Sequence, residues 1–171
     1  MKRLSVLLIA ALALLLPAGA AAKGPSAATI TGPGLAAPLA INGVGEGDTS
    51  TDLGLLVMDG GYFPQTFGGS PNPLLRSEPS DLGARYLVTY RVPGPVDATL
   101  VQELYPFAAH GPVTYMRPGQ SFWGDQRTHG GWYRGTLQLK AMLINAGLPS
   151  SVPRHRSLLS LALAIVRHFL P

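Results

Sequence analysis

Three side chains in two turn-rich segments in the second half of the chain are candidate acids, bases or metal ligands. Asp125 and His129 lie four residues apart, and His110 precedes them in a separate Gly- and Pro-containing segment. A histidine exchanges protons near neutral pH, and with a carboxylate it can activate water or bind Zn²⁺. If the two segments converge, these residues predict a small hydrolase. Their spacing matches no recognised metal motif, so neither a metal nor a cofactor is predicted, and solvated loop histidines are the simpler interpretation.

The sequence HGGW at residues 129–132 contains the HGG pattern of esterase oxyanion loops, where backbone amides stabilise a tetrahedral oxyanion. The context argues against an esterase, because the motif comes late in the chain and no G-x-S-x-G elbow follows it. We interpret the two glycines as a turn that allows Trp123, Trp132 and Tyr133 to pack closely.

Aromatic side chains offer a second kind of chemistry. Ten of them fall in predicted loops and near strand ends, where they could stack on a glycan or hold a peptide if they were exposed together. Packing in the core is the simpler alternative. The predicted binding surface comprises Tyr115, Trp123 and Trp132.

The first 22 residues have the pattern of a cleavable secretory signal peptide. A basic start precedes an apolar run from Leu4 to Leu16, and small residues follow it. The run of thirteen residues is shorter than the ~20 that a spanning helix needs. Cleavage is predicted after Ala22, or alternatively after Ala20. The sequence therefore predicts a secreted or cell-envelope protein, with one globular domain over residues 23–149.

The composition excludes several kinds of site. The chain has no cysteine, which excludes disulfides, thiolate nucleophiles, cysteine metal ligands and a lipoprotein anchor. The formal net charge of +4 falls to +2 without Lys2 and Arg3, because eleven basic then face nine acidic residues. Three of those eleven lie beyond residue 153, so the region from 23 to 153 carries a net charge of −1. No nucleic-acid partner is predicted, since that would require a basic stripe on the folded domain.

Strand and helix signals begin early in the predicted domain. Ala28–Thr31 and Pro38–Ile41 flank a Gly-Pro-Gly break and predict a short β pair. Thr51 can cap a helix over Asp52–Met58. Gly54 weakens this helix, and a buried strand is the alternative.

The central stretch, residues 85–117, repeats an extended run and a Pro/Gly break. Its three runs are Arg85–Val92, Ala98–Phe107 and Pro112–Met116, and the first alternates aromatic or β-branched residues with more polar ones. The connections are too short for parallel crossovers, so the stretch predicts an antiparallel meander.

The segments on either side of the meander are rich in turn residues. Residues 62–80 hold several prolines and predict an ordered loop, and residues 119–134 predict another turn-rich segment. Thr136 can then cap a helix over residues 137–146 that ends at Gly147 and packs on the sheet.

Residues 150–171 predict a linker and an apolar helix from Ser157 to Leu170. Fourteen residues at ~1.5 Å each give ~21 Å, which is below the ~30 Å of a bilayer core. Docking of this helix on the domain or on a partner is one interpretation. The other is contact with a membrane surface, with Arg154 and Arg156 at the headgroups.

Two stretches of the sequence resemble a group of uncharacterised small secreted proteins from high-GC Gram-positive bacteria. These are ATITGPGL, which begins at Ala28, and YPFAAHGPVTYMRPGQ, which begins at Tyr105 and is followed by GGWY. The similarity covers roughly residues 28–149. The resemblance implies export and a shared fold, and it carries over no catalytic or binding residue.

Together these observations predict an α+β protein with a small, mainly antiparallel sheet, a packed helix over 137–146 and an apolar helix over 157–170. The function they favour is a non-catalytic binding or structural module of the envelope or the extracellular space, with an unidentified ligand there. The two alternatives are a small secreted hydrolase and a peripheral membrane protein held by the C-terminal helix.

Overall fold

The computed structural model describes residues 24–43 and 48–151. Within these ranges the chain forms a six-stranded antiparallel sheet, a separate two-stranded hairpin and three helices. None of the helices in the described part is long and apolar enough to cross a membrane. The predicted signal peptide, residues 1–22, and the predicted C-terminal helix, residues 157–170, lie outside the described residues.

The described elements follow one another in mixed order along the chain. The strands are β1 (Ala27–Thr31), β2 (Leu39–Ile41), β3 (Tyr86–Val92), β4 (Ala98–Tyr105), β5 (Val113–Met116), β6 (Ser121–Phe122), β7 (Gln126–Arg127) and β8 (Gly131–Arg134). The helices are α1 (Asp52–Asp59), α2 (Tyr62–Phe67) and α3 (Leu137–Asn145).

The main sheet has the strand order β2-β1-β3-β4-β5-β8, and every neighbouring pair is antiparallel. Its centre is the predicted meander of β3, β4 and β5, and the predicted β1–β2 pair forms one edge. The predicted α+β class with a mainly antiparallel sheet is therefore confirmed. Among the described strands, β6 and β7 pair only with each other.

The two faces of the sheet have different environments because side chains alternate along each strand. On β3, Tyr86, Val88, Tyr90 and Val92 are buried, and the residues between them are exposed. The buried face packs against apolar residues of all three helices in one continuous core. Full burial of each such apolar side chain contributes about 1.5–3 kcal/mol. We call the opposite face, which no described helix covers, the outer face.

Side-chain caps place helices α1 and α3 where the sequence predicts them. The Thr51 hydroxyl accepts a hydrogen bond from the Gly54 amide at 3.1 Å, and the Thr136 hydroxyl accepts one from the Leu139 amide at the same distance. Thr136 also donates to a carboxylate oxygen of Asp59 at 2.6 Å, which ties the start of α3 to the end of α1. Both predicted helices are confirmed.

Two segments assigned as loops contain regular structure. The prediction for residues 62–80 is wrong in its first part, where α2 spans Tyr62–Phe67. This helix tolerates Pro64 because the residue lies in its first turn, where a missing amide costs nothing. The turn-rich segment 119–134 holds the β6–β7 hairpin and β8, the last strand of the main sheet.

A buried polar network fastens α2 and the preceding turn to the sheet. The side-chain amide of Gln102 on β4 donates to the Gly60 carbonyl at 2.9 Å and to Gln65 Oε1 at 2.5 Å. Gln65 in turn donates to the carbonyl of Gly131 at 2.8 Å and to the Thr114 hydroxyl at 3.2 Å. Both glutamines are fully buried, so these bonds satisfy amides that would otherwise be costly to bury.

Two tyrosines on β3 allow the value of one hydroxyl in this network to be measured. The Tyr90 hydroxyl donates to Gln102 Oε1 at 2.8 Å, whereas the Tyr86 hydroxyl has no hydrogen-bond partner among the described residues. Burial raises the pKa of both tyrosines, so both hydroxyls keep their protons at neutral pH. We expect Tyr90→Phe to lower the free energy of unfolding by about 1–2 kcal/mol. In contrast, Tyr86→Phe should leave it unchanged or raise it slightly, and urea denaturation of both variants would test this. Equal losses would contradict the assignment.

Candidate binding site

One row of side chains crosses the outer face from β3 to β8. The strand register pairs Leu87 with Glu103, Glu103 with Tyr115, and Tyr115 with Trp132. Directly opposite residues on neighbouring strands lie about 4.5–5.5 Å apart at Cβ, so the four side chains form a continuous row. This row places two aromatic rings, a carboxylate and an aliphatic side chain on a face that the described helices leave open.

A groove of about 320 Å³ lies along this row. Its apolar floor includes Leu87 and Val101, which are 38% and 37% exposed. The remaining lining residues are polar or aromatic: Glu103, Tyr115, Arg117 and Gln120. The volume is at the lower end of the range found for small-molecule sites, which suits a ligand about the size of a single ring.

The aromatic wall of the groove is packed from behind. The rings of Tyr115 and Trp132 lie 4.6 Å apart at their centroids, and Tyr105 lies 5.9 Å from Trp132 on the other side. Tyr105 and Val113 belong to a small second core cluster on this face, and Trp132 packs against it. Tyr115 is therefore held in place before any ligand arrives, which lowers the entropic cost of binding.

Glu103 is oriented by two neighbours. Its Oε1 atom lies 3.4 Å from Nη1 of Arg85, and its Oε2 atom accepts a hydrogen bond from the Tyr105 hydroxyl. Burial, followed by this hydrogen bond to a carboxylate, raises the pKa of Tyr105, so the phenol remains a donor. The Glu103 side chain keeps 27% of its surface exposed, and each carboxylate oxygen can accept more than one hydrogen bond.

Arg117 is the positively charged residue of the groove. Within residues 24–43 and 48–151, the ion pairs are Arg85–Glu103 and Arg91–Asp97, and neither includes Arg117. Its backbone is fixed, because its carbonyl accepts hydrogen bonds from the Thr128 hydroxyl at 2.8 Å and from the Gln120 amide at 3.2 Å. The guanidinium is thus on a defined backbone and remains available to an anionic group.

Gln120 completes the groove, because its side chain makes the backbone hydrogen bonds that a neighbouring strand would make to Val101. Its side-chain amide accepts from the Val101 amide at 2.7 Å and donates to the Val101 carbonyl at 2.8 Å. These are the bonds that a neighbouring strand would make beyond the end of β5 at Met116. Val101 in the groove floor is therefore held by β3 on one side and by Gln120 on the other.

The structure brings together two of the three aromatic residues predicted as a binding surface. Tyr115 and Trp132 are neighbours on the outer face, but Trp123 packs elsewhere, 5.8 Å from Phe67 between ring centroids. Its indole nitrogen donates to the Pro93 carbonyl at 2.7 Å. The predicted packing of Trp123 with Trp132 and Tyr133 is therefore corrected, because these residues lie in separate clusters and the Tyr133 ring packs over Gly61.

The structure does not bring His110, Asp125 and His129 together. His110 precedes β5 at the end where Val113 pairs with Arg134, and its carbonyl accepts from Arg134. His129 precedes β8 at the opposite end of the same ladder, about 10 Å away along the strands. Asp125 is exposed in the tip of the β6–β7 hairpin. Among the residues that the structure describes, no group of three His, Asp or Glu residues could hold a metal ion.

Sequence reasoning missed five of the six lining residues: Leu87, Val101, Glu103, Arg117 and Gln120. A signal for Leu87 was present, since the alternation of β3 puts this leucine on the water-facing side. Arg117 and Gln120 follow the end of β5, and their convergence on β4 depends on the turn that leads to β6.

Comparison with known proteins identifies no relative from which a function could be assigned to this site. No protein-family model, curated protein or solved structure matches the chain. The resemblance to a group of small secreted proteins therefore stays a prediction, and the functional assignment rests on the groove itself.

Proposed function

We propose that the protein is an exported, non-catalytic binding module of the cell envelope or the extracellular space, and that its ligand occupies the groove on the outer face. Support for export comes from the signal-peptide pattern of residues 1–22. The observation that carries the binding role is the row from Leu87 to Trp132, which is exposed at Leu87, half-buried at the other three positions and packed at Trp132 against the second core cluster. Aromatic side chains in this setting provide a large contact area at a low entropic cost.

Catalysis receives no comparable support. The two histidines and the aspartate of the hydrolase alternative are spread over separate loops, whereas a general base and its partner must lie within hydrogen-bond reach. The membrane alternative depends on residues 157–170, which lie outside the described part, and it stays a prediction from the sequence.

The decisive residue for this proposal is Tyr115. Removing its ring by Tyr115→Ala should weaken binding to isolated cell-envelope material by about tenfold or more, because a central aromatic contact is lost. The measurement is co-sedimentation of the purified protein with the envelope fraction of the source organism over a range of concentrations.

The matched control is Phe67→Ala, which removes an aromatic ring that is 45% exposed and lies outside the groove. This variant should bind as the unsubstituted protein does. Thermal unfolding of both variants would verify that they are folded at the assay temperature. Unchanged binding by folded Tyr115→Ala would overturn the proposed site.

A further inference from the structure

We propose that the groove recognises a sugar that carries a carboxylate, that is, a uronic acid residue of an acidic glycan. This inference rests on the proposed binding function and specifies its ligand class. Three features of the groove carry it: a ring to stack on, a carboxylate that can accept from hydroxyls, and an arginine outside any ion pair of the described chain.

The stacking surface is Tyr115 with the apolar floor beside it. One face of a pyranose ring presents C–H groups, which are attracted to the negative face of an aromatic ring. Val101 lies diagonally across from Tyr115 on β4 and extends this apolar surface, and Leu87 on β3 lies beyond Glu103. The position of Trp132 behind Tyr115 fixes the ring that makes this contact, with their centroids 4.6 Å apart.

Opposite charges border the Tyr115 ring, one across the strands and the other along its own strand. Glu103 is paired with Tyr115 across the strands, and Arg117 follows Tyr115 by two residues, which corresponds to about 7 Å along the strand direction. Glu103 and Arg117 are therefore diagonal neighbours, about 7–8 Å apart, and one sugar ring with its substituents can span that distance. A sugar hydroxyl can therefore donate to Glu103 while the carboxylate of the same residue accepts from the Arg117 guanidinium, whose planar fork suits carboxylates.

The same arrangement disfavours other ligands. A neutral sugar would leave Arg117 without an anionic partner at the contact. A polyphosphate chain would bring a high negative charge next to Glu103, and a cationic ligand would meet both Arg85 and Arg117. A sugar residue that carries one carboxylate fits, because the part of the ligand inside the groove then offers both hydroxyl donors and a single negative charge.

The test compares three probes of similar size: trigalacturonate, the neutral galactotriose, and a tripeptide of glutamate. Isothermal titration should show trigalacturonate binding about tenfold or more tightly than galactotriose, and the tripeptide should bind more weakly than trigalacturonate. Raising the NaCl concentration from about 50 mM to about 500 mM should weaken only the binding of charged probes, through screening. Equal affinity for acidic and neutral trisaccharides, or tighter binding of the tripeptide, would overturn the proposal.

Two arginine variants isolate the charge contact. Arg117→Gln should remove the preference for trigalacturonate over galactotriose while leaving the fold intact, because only the backbone carbonyl of Arg117 holds the turn. Arg127→Gln is the control, since Arg127 is exposed on the hairpin and does not line the groove. It should retain the preference. If trigalacturonate does not bind but Tyr115→Ala still weakens binding to the envelope fraction, the uronate inference fails and the proposed binding function stands.

Discussion

Gln102→Leu is expected to lower the free energy of unfolding by about 4 kcal/mol, the largest loss we predict for a single side chain. The volume of the residue hardly changes, so the loss comes from hydrogen bonding. Leucine would leave Gln65 Oε1 and the Tyr90 hydroxyl without their partner, and the Gly60 carbonyl would lose one of its two donors. Each buried polar group left unsatisfied costs about 1–3 kcal/mol.

Urea denaturation with unchanged m-values would measure this loss, since a constant m-value indicates that only the stability has changed. The matched control is Gln138→Leu, the same substitution at an exposed position of α3. It should change stability by less than about 0.5 kcal/mol. Similar effects of the two substitutions would contradict a structural role for the network.

The coupling between the two buried glutamines can be measured separately. If Gln65 and Gln102 stabilise each other, replacing both by leucine should cost less than the sum of the single substitutions. The expected difference is about 1–2 kcal/mol, because the second substitution removes a side chain that the first has already left without its hydrogen-bond partner. Strict additivity would show that each amide acts alone.

Gly54→Ala is expected to destabilise the protein by about 2–3 kcal/mol, although alanine is the better helix former by about 1 kcal/mol. A Cβ atom at position 54 would lie 1.7 Å from the carbonyl oxygen of Asp48. That oxygen belongs to the backbone of the turn that leads into α1, where Thr51 donates to it at 3.3 Å. The helix and the turn would have to separate, and the capping bond from the Gly54 amide would be strained.

The opposite signs of the two effects make this substitution informative. Helix propensity alone predicts stabilisation, whereas the close approach of Asp48 predicts destabilisation. Gly69→Ala is the control, because the nearest atoms to its added Cβ lie at 3.6 Å and its φ is not positive. Thermal unfolding should show a lower midpoint for Gly54→Ala only. A raised midpoint would show that the turn before α1 can move away.

The parts of the fold that the sequence predicts correctly are those specified by residues close together in the chain. Thr51 and Thr136 are helix caps that depend on residues three positions away, and both predicted caps are confirmed. The alternation of β3 likewise identified its buried face. Such features depend on neighbours in the chain, so the sequence contains the necessary information.

Features that depend on distant contacts were missed. Strand β1 lies between β2 and β3 in the sheet, although more than forty residues separate it from β3 in the sequence. Nothing in the sequence of β1 itself specifies that position. Helix α2 has only six residues, and its Gln65 is buried because it reaches Thr114 and Gly131. For the same reason, sequence reasoning named only Tyr115 among the residues that line the groove. Tyr115 and Trp132 meet through strand pairing, and aromatic composition alone could not separate them from Trp123.

The one-sided arrangement of the helices has a consequence for how this protein can diversify. Along β3 and β4, most inward residues hold the core, while the residues between them line the groove or border it. Substitutions at outward positions such as Leu87 and Val101 change the ligand surface with little effect on the core. Ligand preference can therefore evolve by single substitutions that leave folding unchanged, and variation among related chains should concentrate at alternate positions of the same strands.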